Sequence, residues 1–91
     1  MMTRRYRPIS VEVAAPITLG NAITVSDANV VRATNSAAST AYLVTLVDEN
    51  DVTIGTMTVL GSETVLIDKQ KTWKLFAGNA AIKLVSVSYP A

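Results

Sequence analysis

"LVTLVDENDVTIGTMTV", residues 43–59, places two β-branched runs around a knot of three acids and an asparagine, Asp48, Glu49, Asn50 and Asp51. The knot either holds a cation or turns the chain. A calcium loop of the EF-hand kind starting at Asp48 finds its third-position acceptor in Asn50, but it also needs Gly at the sixth position and Glu at the twelfth. Thr53 and Val59 stand there. Acids and Asn between strand-forming runs are ordinary hairpin residues, because they bond their own backbone and tolerate left-handed geometry. The stretch therefore reads as a β-hairpin, with a weak calcium contact shared with another chain as the remaining option. Its second strand changes parity. Val52 and Ile54 share one face, and after Gly55 and Thr56 the apolar set becomes Met57 and Val59. A period of two flips only if a residue is inserted or the strand changes face, and a mid-strand Gly is a common place for a bulge. The final run repeats the flip, with Ile82 and Leu84 followed by Val85, Val87 and Tyr89. Either both strands bulge or both faces are covered, and covered faces favour a partner subunit.

Outward from the hairpin the chain keeps the same character. The sequence has 12 Val, 6 Ile and 11 Thr, 29 of its 91 residues. Such side chains lose rotamer freedom in helices and pack well on a pleated surface, and no helical-length window carries an apolar stripe. Further strands are expected over residues 22–25, 29–34, 41–47, 52–59, 63–68 and 82–89, with residues 69–79 as a loop or a single helical turn. Short strands separated by polar turns suggest an all-β fold, a small antiparallel β-sandwich or flattened barrel of six to eight strands. Residues 1–20 read as an extended N-terminal arm and residues 21–91 as the sandwich domain. Pro8 and Pro16 stiffen the arm, while Ile9, Val11, Val13 and Ile17 share one parity and give it an apolar face.

Charged residues make up 16% of the chain and apolar residues 49%. That surface is greasy for a small domain, and contact with other chains is one way to cover it. Self-association as a trimer or dimer is expected. The sequence contains neither Cys nor His, which removes thiolate chemistry, disulfides and the commonest general base and metal ligand. Serine-histidine and cysteine-histidine pairs are thus impossible, and no glycine-rich phosphate loop is present. No enzyme, cofactor or metal site is expected. No apolar run approaches the ~20 residues that span a bilayer. The basic start is followed by no apolar leader region, so synthesis in the cytosol is expected. Arg4, Arg5 and Arg7 could hold phosphates or lie on an acidic protein neighbour, but a net charge of +1 is too small for a general nucleic-acid binder. Trp73, among Lys69, Lys71 and Lys74, could serve packing, an interface or a carbohydrate platform. The interface candidates are thus Arg4, Arg5, Arg7, Ile9, Val11, Val13, Ile17 and Trp73. The arm is expected to lie on a neighbouring chain as a strap or added strand, the alternative being the first strand of its own sandwich.

The run "LVTLVDENDVTIGTMTVLGSETVLIDK", closed by "AAIKLVSVSYP", resembles the small all-β virion structural proteins of tailed bacteriophages, especially cyanophages and other marine phages. The matching residues are Val44, Thr45, Asp48, Ile54, Gly55, Glu63, Thr64 and Lys69, and Ser62 is inserted where that group has "GET". About two thirds of the chain is covered, and the motifs are structural. The resemblance implies a capsid decoration or cement protein that bridges shell subunits, located in the virion after assembly in the host cytoplasm. A head–tail or tail component, or a carbohydrate or host-surface binding module on the virion, is the alternative.

Overall fold

The computed structural model describes residues 7–88. They form two antiparallel sheets packed face to face. The strands are β1 (Arg7–Pro8), β2 (Val13–Ala14), β3 (Val30–Asn35), β4 (Tyr42–Val47), β5 (Thr53–Val59), β6 (Thr64–Asp68), β7 (Lys74–Ala77) and β8 (Ile82–Ser88). One sheet runs β1-β8-β3-β6, with β2 also on β8, and the other runs β5-β4-β7. The described residues contain no α-helix, and the one helical piece is a 3-10 turn at Leu19–Asn21. The all-β sandwich read from the sequence is the fold observed.

Alternation builds the core. Val31, Ala33 and Asn35 of β3 point inward beside Leu84 and Ile82 of β8, and Val44 of β4 meets Leu75 and Ala77 of β7 on the facing sheet. Asn35 is fully buried yet fully used. Its amide nitrogen donates to the Thr40 carbonyl at 2.8 Å and the Val59 carbonyl at 3.0 Å, and its Oδ1 accepts from the Ala37 N–H at 2.9 Å. A satisfied buried amide adds specificity where an unsatisfied one would cost about 1–3 kcal/mol. Here it ties the end of β5 to the other sheet.

The hairpin reading of Asp48–Asp51 holds. Asp48 Oδ1 accepts from the backbone N–H groups of Asn50 at 2.8 Å and Val52 at 2.9 Å, and Asp51 takes the left-handed conformation at φ 65°. The carboxylates of Glu49 and Asp51 are engaged by Thr72 and Lys74. The two parity flips have different causes. In β5 the register against β4 shifts between Leu46 and Val47, which leaves Ile54 as an extra residue beside Gly55. That is the inserted residue the sequence called for. Strand β8 keeps an unbroken register with β3. Val85 and Val87 are nonetheless only 4% and 5% exposed. On that outer face Arg32 stands opposite Val85, and its guanidinium reaches Glu12 of the arm at 3.6 Å. The cover comes from the chain itself. Tyr89 lies outside the described residues.

Three expectations are corrected. Residues 7–15 do not stand apart from the sandwich: Arg7 and Pro8 pair with Ser88 and Val87, and Val13 and Ala14 with Leu84 and Lys83. The arm is the edge of its own sheet, because β8 has an open side and the arm supplies extended backbone with an alternating pattern. The boundary at residue 20 accordingly dissolves, with Ala15 buried in the core. Residues 22–25 make only a single bridge, Ile23 to Leu75. Val25, Ser26 and Asp27 then follow one another at φ 56°, 57° and 57°. A left-handed run costs roughly 1–2 kcal/mol per residue. It is held by bonds from Asp27 N–H to Thr24 Oγ1 and Ala28 N–H to the Thr24 carbonyl, and it buries Val25 and Ala28. Residues 69–79 contain a strand, β7, in place of the expected loop or helical turn.

Candidate interaction surface

The chain closes one side of the sandwich and leaves the other open. On the closed side the N-terminal segment runs along β8, with Ile9 N–H donating to the Ser86 carbonyl and Ala15 N–H to the Ile82 carbonyl. It then crosses to the second sheet, where the Pro16 carbonyl accepts from Ala77 N–H and Ile23 exchanges both backbone bonds with Leu75. On the open side lie β5 and β6, each paired on one edge only among the described residues.

Among the sequence candidates, Ile9, Val11, Val13 and Ile17 are all exposed, Val11 to 84%, and Leu19 continues the odd-numbered series. They do not form one outward face: Val13 lies opposite the core residue Leu84, Ala15 of the same parity is buried, and Leu19 belongs to the 3-10 turn, so their exposure comes from lying at the sheet's edge. Arg7 is exposed at the start of the arm. Arg4 and Arg5 lie outside the described residues. The structure brings the arm residues together and leaves Trp73 apart, half-buried in the turn before β7. A stacking platform for a sugar needs an open indole face. The adjoining Lys69 is buried, with Nζ donating to the carbonyls of Gln70 at 3.1 Å and Lys71 at 3.5 Å. Burial pushes its pKa below the ordinary value, and Asp27 partly offsets this.

A second exposed apolar group was not singled out from the sequence: Leu43, Val52, Ile54, Met57 and Leu60. They surround β5, in which Val59 is the single buried residue. Beneath β5 an apolar crevice of about 150 Å³ is lined by Val44, Leu46, Gly55, Met57, Ile67 and Leu75. The signal was available, since no charged residue occurs between Val52 and Ser62. No family model, curated protein or solved structure matches this chain.

Proposed function

We propose that this protein is a non-enzymatic structural component of a tailed-phage virion, a decoration or cement protein that binds an assembled shell and bridges its subunits. The observation that carries the reading is the exposed apolar group Ile9, Val11, Val13 and Ile17 on the N-terminal segment beside β8. Apolar side chains on a segment already bonded to the sheet lose less entropy on docking than those of a free terminus. The exposed Arg7 at its head adds salt-sensitive attraction to an acidic rim. The resemblance of residues 29–89 to phage virion proteins supports the kind of partner. Binding the assembled shell and not its free subunits stabilises the shell by mass action, and many copies add avidity.

The test is the location and copy number of the protein in purified particles, with a double variant Val11→Asp, Ile17→Asp added back to particles that lack it. Both positions are exposed, so the variant is expected to keep the thermal midpoint and lose attachment. Full-strength attachment of the variant, or absence of the protein from the particle, sinks the reading.

A further inference from the structure

Strand β5 differs from the other sheet edges. The arm edge carries Arg7, Pro8 and Glu12, β6 carries Asp68, and β7 carries Lys74. Charges and prolines of this kind keep edges from pairing with other chains. Strand β5 has none, and the uncharged stretch continues to Ser62. Its bulge at Ile54 disturbs only the hairpin end, so Gly55 to Val59 remain in regular register with β4. Among the described residues, one side of this segment has no strand beside it.

We propose that β5 pairs antiparallel with β5 of a second copy, joining the two three-stranded sheets into one continuous sheet about a two-fold axis at Met57. The occupant follows from three observations. An edge without charge meets its own copy without repulsion, and offers nothing to a strongly basic or acidic partner. Second, parity restricts the register to axes that fall on a residue, and Met57 is the centre of the regular segment Gly55 to Val59. Residues directly opposed in a sheet lie on the same face, and Gly55, Met57 and Val59 share the inner face, because they pair with Leu46, Val44 and Tyr42. Centring the axis on Met57 sets Gly55 against Val59 of the second copy and Thr56 against its Thr58. Third, the edge carries both a knob and a hole. Gly55 lines the apolar crevice, and a Cβ built on it meets no atom within 4 Å. A diagonal neighbour lies roughly 7–8 Å away, within reach of a long side chain. The flexible Met57 of the second copy is such a neighbour, and Met fills irregular apolar gaps well. The contact is the same on both chains, as a two-fold interface requires. It makes a dimer and no larger ring. It does not depend on the virion reading, since it concerns only copies of this chain.

The sharpest test uses the absence of Cys from the sequence. Directly opposed residues have Cα atoms about 4.5–5.5 Å apart, inside the ~4.4–6.8 Å range for a disulfide. Under mild oxidation Met57→Cys is expected to run as a covalent dimer, while Leu43→Cys, one strand further from the axis, stays single. By sedimentation the wild-type full chain is expected to double in mass as concentration rises. Met57→Lys, which opposes two ammonium groups at the axis, is expected to weaken dimerisation at least tenfold with an unchanged circular dichroism spectrum. Gly55→Val fills the hole from its own chain and is expected to weaken the dimer without lowering the melting temperature at concentrations where the wild type is a single chain. A wild-type chain that stays single up to its solubility limit, a trimer, variants that dimerise like the wild type, or cross-linking no faster at position 57 than at 43 would each overturn the proposal.

Discussion

The two sides of the sandwich close by different means. Along β8 the edge is covered by a strand pair that is broken in the middle: six residues of arm, Pro8 to Val13, span four of β8, Val87 to Leu84. Offset, proline and the Arg32–Glu12 pair make it a poor template for a further strand. The β5 side has a regular edge, no charge and an apolar crevice behind it. Both sides expose apolar side chains, so exposed greasiness alone does not distinguish them. What separates them is whether unpaired backbone accompanies the side chains. The arm offers side chains alone, while β5 offers side chains and a row of hydrogen-bonding groups.

The comparison can be broken most forcefully at the arm. Deleting residues 1–16 removes β1, β2, buried Ala15 and the Pro16 bond to β7. The deletion is expected to take away most of the ~5–15 kcal/mol that a domain has to spare, seen as lost cooperative unfolding by circular dichroism. A truncated chain that melts like the full one would mean that the pairing to β8 contributes little.

Two glycines sharpen the β5 side. Gly61 follows that strand, and a Cβ there would sit 2.6 Å from Ser39 Cα and 2.7 Å from Ser39 N, which are backbone atoms. Overpacking of this kind costs about 1–3 kcal/mol. Gly61→Ala is expected to lower the urea midpoint accordingly, by forcing the turn after β5 off the loop at residues 36–40. Gly55→Ala meets no atom within 4 Å and needs no left-handed backbone, so it is expected to be neutral or to gain about 0.4–1 kcal/mol. Equal effects at both positions would show that the crevice is not open beside β5.

The smallest effect concerns β6, the other strand on the open side. Lys69, at its end, has a pKa lowered below 10.5, chiefly by burial. The unfolded chain therefore holds this proton at higher pH than the folded one, and stability rises with pH across that interval. Against Lys69→Met, the wild type is expected to gain stability as pH climbs through the folded pKa of Lys69 toward 10.5, with a constant difference below that window. Urea midpoints of both proteins across alkaline pH check the sign, and a falling difference refutes it.

Much of this was legible in residues 43–59. The turn at Asp48–Asp51 and the bulge at Ile54 both follow from local chemistry and a period of two. The parity flip in β8 was visible, but its cause was not. The sequence cannot say whether a covered second face is covered by a partner or by residues more than 70 positions away, as with Glu12 near Val85. The arm's pairing was hidden for the same reason, since an alternating segment suits any open edge. Strand β7 escaped because its four residues, Lys74 to Ala77, place three apolar side chains in a row after Trp73 and show no alternation. Residues 22–25 misled in the opposite sense. Their β-branched pattern favours a strand, and core burial of Val25 and Ala28 overrides it with left-handed turns. Of the proposed surfaces, the arm residues share a parity in the sequence that the fold does not turn into one outward face, since Ala15 of that parity is buried, whereas the β5 patch is defined by an absence of charge that only a free edge makes meaningful.

The position of β8 in the first sheet bears on the order of events during synthesis. It lies between the arm and β3, so both neighbours emerge from the ribosome long before the strand that joins them. The β4–β5 hairpin can close as soon as residue 59 is out, and β7 can join it soon after. The arm, with its apolar residues, must wait for β8. Contacts between segments so far apart in sequence close slowly. During that interval the nascent chain presents a finished uncharged edge at β5 and an unfinished one at β3, which makes synthesis, more than the completed fold, the stage at which this sequence most needs to be kept from its neighbours.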